Sequence, residues 1–187
     1  NTDGTENVAV GTQAMVYNDG GYQNTAVGNS ALASNTEGIR NTAVGCGAAA
    51  CTSTGHCNVA VGYEALKFNC TTRSNVAVGS HSLYSSVIGE NVAVGSCASC
   101  SNTTGIQNTA LGYKTLCSNT IGNCNVAIGF NTLVTSVTAH GNVAVGNAAL
   151  CCNTTGEKNV AVGNCALWNN TEAWYNVAVG HSALCSN

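Results

Sequence analysis

The feature that most constrains this chain is a five-residue motif, Asn-[Val/Thr]-Ala-[Val/Leu/Ile]-Gly, that recurs along its whole length. Its eleven copies begin at Asn7, Asn24, Asn41, Asn58, Asn75, Asn91, Asn108, Asn125, Asn142, Asn159 and Asn176. Successive copies are 17 residues apart, except for one spacing of 16 between Asn75 and Asn91. Because the repeat occupies the entire chain, we expect residues 1–187 to form one continuous repeat region without a second domain. The chain begins and ends at position 12 without a polar capping coil, so we expect an excerpt of a longer fibre or a unit that stacks end to end.

The repeat predicts an all-β structure. With the motif asparagine as position 1, the consensus is N-V-A-V-G-x-x-A-L-x-x-N-T-T-G-x-x. Val-Ala-Val alternates as a strand does, and the Asn-Thr-Thr-Gly stretch has the composition of a turn. Two glycines per repeat and many β-branched residues disfavour a helix. We therefore predict a β-solenoid, or parallel β-roll, with one 17-residue coil per repeat, eleven coils and two short strands in each coil.

Stacking places the same position of successive coils side by side, about 4.8 Å apart. We expect the valines at positions 2 and 4 and the leucine at position 9 to fill the core, and the position 1 asparagines to form a hydrogen-bonded column. Alanine at position 3 would then point outward. A small residue kept in every coil suits a close contact between chains, and predicts a homotrimer; alternatively, alanine merely fits a flat sheet.

Composition excludes several classes of function. Charged residues make up 7% of the chain, against roughly 25% in typical globular proteins. The net charge of −3 leaves no basic surface for nucleic acid, and no apolar run approaches the ~18 residues of a membrane helix, so we expect no membrane insertion.

The repeats Asn142–Leu150 and Asn159–Leu167 carry the pattern N-V-A-V-G-x-x-A-L. This pattern resembles the head repeats of YadA-like trimeric autotransporter adhesins, and related repeats of phage, viral and bacterial surface fibres. The resemblance implies a left-handed parallel β-roll, three chains around one axis, and an adhesive or spacer role. The twelve cysteines favour a viral fibre, or a fibre secreted by another route, over autotransporter export.

The cysteines predict disulfide bonds in an oxidising compartment. Cys100 and Cys117 occupy position 10 of adjacent coils, and a stacking distance near 4.8 Å lies inside the Cα separation that a disulfide requires, about 4.4–6.8 Å. They are the best candidate pair. The alternative is a fibre assembled in the cytosol with free thiols.

Metal binding and catalysis have little support. Cys97 and Cys100 form one C-x-x-C without a second pair, and the four histidines have no recurring acidic neighbour. The eight carboxylates form no regular column, and common catalytic motifs are absent. We therefore expect no cofactor and no enzymatic activity.

Two groups of residues fall in the region from position 10 to position 17, where the repeat varies most. Four glycosylation sequons begin at Asn69, Asn102, Asn153 and Asn169. We place them on an outward loop, where glycans would be accepted in a eukaryotic secretory pathway; alternatively, the Asn-Thr-Thr turn generates them by chance. The aromatic residues Tyr22, Trp168, Trp174 and Tyr175 form the expected recognition surface, because aromatic rings bind sugars and protein surfaces well.

These features together favour a structural or adhesive fibre on a cell or virion surface, whose variable loops bind a host protein or glycan. Its expected partners are copies of itself, in a homotrimer or an end-to-end filament. The alternative is a single-chain, disulfide-stabilised solenoid that binds ice or assembles into filaments. Ice binding requires a regular column of threonines, and those at positions 13 and 14 are interrupted in several coils.

Overall fold

The computed structural model describes residues 3–186, and the fold over this range is a β-solenoid. Eleven three-residue strands form a single parallel sheet in chain order, and no helix occurs within the described range. The strands are β1 (Val8–Val10), β2 (Thr25–Val27), β3 (Thr42–Val44), β4 (Val59–Val61), β5 (Val76–Val78), β6 (Val92–Val94), β7 (Thr109–Leu111), β8 (Val126–Ile128), β9 (Val143–Val145), β10 (Val160–Val162) and β11 (Val177–Val179). We number the coils 1–11 by the strand that each contains.

Each strand pairs in register with the next, so that the same repeat position recurs along the axis. Ala110 of β7 pairs with Ala93 of β6 on one side and with Ala127 of β8 on the other. The pairing of Val76 with Val92 keeps the same register across the 16-residue spacing. The prediction of one coil per repeat is confirmed.

The prediction of a second strand in each coil is wrong. Positions 6–11 form turns, in which the residues at positions 7 and 9 have left-handed backbone conformations, such as φ 53° at Lys114 and 49° at Leu116. A strand requires a negative φ at every residue. The turns still bond from coil to coil, because the Leu116 amide donates to the Thr132 carbonyl at 3.1 Å.

The expected core is inverted. Alanine at position 3 points inward and is fully buried in coils 2–10, for example at Ala110 and Ala127, whereas the valines at positions 2 and 4 are half-buried or exposed. Leucine at position 9 is buried, as predicted, and Leu116 is fully so. Side chains alternate along a strand, so an inward alanine forces both flanking valines outward. The thin interior holds one leucine and two asparagines per regular coil, and only a methyl group fits opposite them.

Two asparagine columns line the interior. At position 1, the Asn41 Oδ1 accepts from the Asn58 amide at 3.0 Å, while its Nδ2 donates to the Gly55 carbonyl of the same coil at 2.7 Å. Each such asparagine therefore ties its own coil together and holds the next. At position 12, the Asn119 Nδ2 donates to the Asn102 Oδ1 at 2.9 Å. The predicted position 1 column is confirmed, although the backbone amide of the next asparagine is its most regular donor.

The short repeat lacks one residue between positions 13 and 17 of coil 5, in a segment that contains no strand. The Val87 amide still donates to Thr103 of coil 6, and the Glu90 amide donates to Arg73 of coil 4. Only two residues, Ile88 and Gly89, separate Val87 from Glu90. The deletion is therefore absorbed in a turn and leaves the sheet and the core undisturbed.

Candidate binding face and thiol sites

The outer face of the sheet is an apolar surface that we call the valine face. It consists of positions 2 and 4 of the eleven strands, where only valine, threonine, leucine and isoleucine occur. Val10 is 57% exposed, Val92 39% and Leu111 44%. Eleven strands at about 4.8 Å each make the face about 50 Å long, and its two columns carry no charge. An uncharged apolar surface of this extent is typical of a contact between macromolecules.

Cys100 and Cys117 lie side by side, as their shared position predicts. Their Sγ atoms are 3.2 Å apart, and both cysteines are free thiols. The Cys100 Sγ also lies 3.6 Å from the Cys117 carbonyl oxygen and 3.9 Å from the Ser101 hydroxyl. The structure therefore brings the pair into contact, and the disulfide stays a prediction.

The contact between the two thiols separates their acidities. The hydrogen bond from Cys117 to the Cys100 thiolate lowers the pKa of Cys100 to about 6, against the opposing effect of burial. Cys117 supplies that hydrogen bond only while it keeps its proton, so this bond, together with burial, raises the pKa of Cys117. The first proton thus leaves the pair easily, and the second leaves with difficulty.

A cavity of about 400 Å³ opens beside this pair. It is lined by His81, Tyr84 and Ser85 of coil 5 and by Cys97, Cys100 and Ser101 of coil 6. Cys117 belongs to coil 7, on the far side of Cys100, and does not line the cavity. Of the two thiols in contact, Cys100 is therefore the one that a molecule in the cavity reaches.

The sequons occupy two different environments. Asn69, Asn102 and Asn153 are fully buried, and the expectation that they lie on an outward loop is wrong. Position 12 faces the interior, where the Nδ2 atoms of Asn102 and Asn153 each donate to the carbonyl of the glycine three residues later at 2.9 Å. Asn169, at position 11, is exposed. A glycan fits the folded coil at Asn169 and not at the other three.

The aromatic residues predicted for recognition are dispersed. Trp174 and Tyr175 are exposed in coil 10 and meet edge to face, with ring centroids 6.4 Å apart. The Lys158 ammonium lies 5.2 Å from the centre of the Tyr175 ring. Trp168 is half-buried at position 10 of the same coil, and Tyr22 lies nine coils away in coil 1. The structure brings Trp174 and Tyr175 together and leaves Tyr22 apart.

A second aromatic cluster, missed in the sequence, joins coils 4 and 5. The His81 ring lies 5.2 Å from both Tyr63 and Tyr84, and Tyr84 meets Phe68 edge to face at 5.0 Å. The Lys67 ammonium lies 5.5 Å from the Phe68 ring. These residues occupy positions 6, 7, 10 and 11 of neighbouring coils, so tabulating aromatic residues by repeat position would have found them.

An ion pair lies beside this aromatic cluster. The Glu64 carboxylate accepts from Lys67 at 2.7 Å and lies 3.4 Å from the His81 Nε2. The hydrogen bond from Lys67 lowers the pKa of Glu64 and raises that of Lys67. Both side chains are half-buried, and the pair holds the Lys67 ammonium beside the aromatic rings.

The short repeat creates a notch on the opposite turn. A cavity of about 510 Å³ spans coils 3–6 there, lined by Thr54, His56, Thr71, Thr72, Arg73, Ile88, Gly89, Glu90 and Ile106. It follows from the missing residue of coil 5, which leaves a gap between the turns of its neighbours. The notch is open to solvent and lies at the irregular coil 5 and its neighbours.

Residues 3–186 contain neither a membrane-spanning helix nor a cluster of metal-ligating side chains. No helix in this range could cross a membrane, and no group of three or more His, Cys, Asp or Glu side chains there is arranged to hold a metal ion. In comparisons with known proteins, no family model, curated protein or solved structure matches this chain.

Proposed function

We propose that this chain is the shaft of an extracellular or virion-surface fibre, in which three copies pack through their valine faces and the outward turns contact a host protein or glycan. The observation that carries the proposal is the valine face itself. It is apolar and uncharged along every coil, whereas the interior needs none of its side chains.

A second copy of the same chain is the occupant that best fits this face. The valine columns form ridges with a regular spacing of about 4.8 Å, and another solenoid of this sequence has the same spacing along its whole length. A partner with any other surface period would lose contact within a few coils. The alanine column, first expected to make this contact, is buried and unavailable to a neighbouring chain.

The turns outside the sheet supply the surface for other partners. The pair Trp174–Tyr175 and the cluster of Tyr63, His81 and Tyr84 project from different coils, and their rings are exposed or half-buried. Aromatic rings at the surface of a rigid rod suit the binding of sugars or protein side chains.

The association state of the purified chain tests the proposal. Analytical ultracentrifugation of the unaltered protein is expected to give a trimer. Introducing charge at the centre of the face, with Val94→Lys and Val145→Lys together, is expected to give a monomer, because buried lysines without partners oppose association.

The matched control changes two valines that lie off the face. Val87 and Val137, at position 13, are 46% and 40% exposed, and Val87→Lys with Val137→Lys is expected to leave the trimer intact. An unaltered chain that sediments as a monomer at every concentration would overturn the proposal and favour the single-chain solenoid. Dissociation by both pairs of substitutions would place the contact somewhere other than the valine face.

A further inference from the structure

Cys100 and Cys117 share a repeat position, but their surroundings differ. Cys100 has the cavity of coils 5 and 6 on one side and the Cys117 sulfur on the other, 3.2 Å away. Exchange at a disulfide requires the attacking sulfur, the central sulfur and the leaving sulfur to lie roughly in line. A group bound to Cys100 and seated in the cavity would leave in the direction away from Cys117.

We propose that Cys100 and Cys117 form a thiol–disulfide exchange site for small-molecule disulfides such as oxidised glutathione, in which Cys100 attacks and Cys117 resolves. The proposal goes beyond the fibre function and does not depend on it. It assigns a chemical role to each sulfur and identifies the oxidant by class.

The reaction balances in two steps. The Cys100 thiolate attacks one sulfur of glutathione disulfide, a bond forms between them, and the first glutathione leaves with the electron pair as a thiolate. Cys117 then loses its proton and attacks the Cys100 sulfur, displacing the second glutathione, which takes up a proton. Two cysteine thiols are oxidised to one disulfide, and one glutathione disulfide is reduced to two thiols.

Three features of the site support these roles. The cavity reaches Cys100 and not Cys117, so the first attack falls to Cys100. The thiolate form of Cys100 is stabilised by hydrogen bonds from Cys117 and Ser101, and a thiolate is the nucleophile in exchange. Seven other coils have alanine, valine, lysine, tyrosine or tryptophan at position 10, so a coil folds without a sulfur there.

Peptide mapping by mass spectrometry after incubation with glutathione disulfide tests the proposal on the reduced full chain. The unaltered protein is expected to link the Cys100 and Cys117 peptides to each other and to retain no glutathione at Cys100. Cys117→Ser removes the resolving thiol and is expected to trap one glutathione on Cys100. Cys100→Ser is expected to leave Cys117 no more modified than the exposed Cys124.

Cys151→Ser is the matched control, because Cys151 occupies the same repeat position in coil 9 but does not line the cavity. This variant is expected to link Cys100 to Cys117 as fast as the unaltered chain does. Stable glutathione on Cys100 in the unaltered protein, or equal modification of Cys100 in the unaltered and Cys117→Ser proteins, would overturn the proposal. Either result would leave the trimer, measured by sedimentation, unaffected.

Discussion

At the scale of single residues, backbone conformation as well as burial restricts which residue occupies position 9. Leu116 has φ 49°, in the left-handed region where a branch at Cβ is strained, and neither valine nor isoleucine occurs at this position in any coil. Met15, unbranched at Cβ, replaces leucine in coil 1 with φ 48°. Branching at Cβ, and not side-chain volume alone, therefore limits which residues occur at position 9.

Two substitutions of Leu116 separate these effects. Leu116→Met keeps the volume and the unbranched Cβ, and is expected to cost less than about 1.5 kcal/mol of unfolding free energy. Leu116→Ile keeps the volume but adds the branch, and is expected to cost about 1–3 kcal/mol more, the strain of an unfavourable backbone region. Urea denaturation measures both; equal losses would show that burial alone selects the residue.

The lowered pKa of Cys100 predicts that this thiol is alkylated at a lower pH than an ordinary cysteine. Only the thiolate reacts with iodoacetamide, so a lowered pKa shifts the rise in rate to lower pH. The alkylation rate of Cys100 in the folded chain is expected to rise through about pH 6 and then level off. In denaturant the rise is expected near the ordinary thiol value of about 8.5.

The groups facing Cys100 that set this profile are Cys117, Ser101 and His81, while Cys97 and Lys114 act on Cys117. Removing the hydrogen bond donor with Cys117→Ala is expected to move the folded profile toward that of the denatured chain. Identical profiles for the folded and denatured proteins would show that the thiol contact does not stabilise the thiolate.

At the scale of the coil, the position 12 asparagine column is interrupted where a hydroxyl replaces the amide. Thr52 donates to the Asn69 carbonyl at 2.9 Å and leaves the buried Oδ1 of Asn35 without a hydrogen bond. Asn119, at the same position in coil 7, donates to the preceding Asn102 Oδ1 instead. A buried acceptor without a donor costs about 1–3 kcal/mol.

Restoring the column is therefore expected to stabilise the solenoid. Thr52→Asn places an amide donor beside Asn35 Oδ1, in a coil whose position 15 is Gly55, as in the regular coils. The substitution is expected to raise the unfolding free energy by about 1 kcal/mol and the melting temperature by about 2–4 °C, in unglycosylated protein. Thr54→Asn, exposed in the same coil, is the control and is expected to change neither.

The sequence determines which residues align between coils, but not which of them face inward. In-register stacking, the asparagine column and the contact between Cys100 and Cys117 all follow from period alone. The orientation of Val-Ala-Val was mispredicted, because alternation is equally compatible with either face and the larger residues were assumed to be inside. The left-handed turns make the interior too narrow for valine, and those conformations are not evident from composition. The notch arises from the exact location of one deletion, which the spacing of 16 does not specify.

At the scale of the whole molecule, each coil contacts only its neighbours, so stability is transmitted along one dimension. At the glycine of position 5, the backbones of successive coils lie too close together for a side chain. Gly129 has φ +138°, and a Cβ there would lie 2.7 Å from the Gly146 carbonyl carbon of the next coil and overlap its oxygen. Any side chain at this position must push coil 8 away from coil 9.

Gly129→Ala is therefore expected to weaken the contact between coils 8 and 9 more than it destabilises the other coils. The loss of unfolding free energy is expected to exceed the about 1–3 kcal/mol of backbone strain alone, because the clash with Gly146 is with backbone that cannot rotate away. Hydrogen exchange monitored by mass spectrometry is expected to accelerate most in coils 8 and 9 and least in coils 2 and 3. Gly20→Ala is the matched control, since a Cβ at Gly20 meets nothing within 4 Å, and its exchange is expected to be unchanged. Equal acceleration in all coils would mean that the eleven coils unfold as one cooperative unit, and that contacts beyond nearest neighbours hold the rod together.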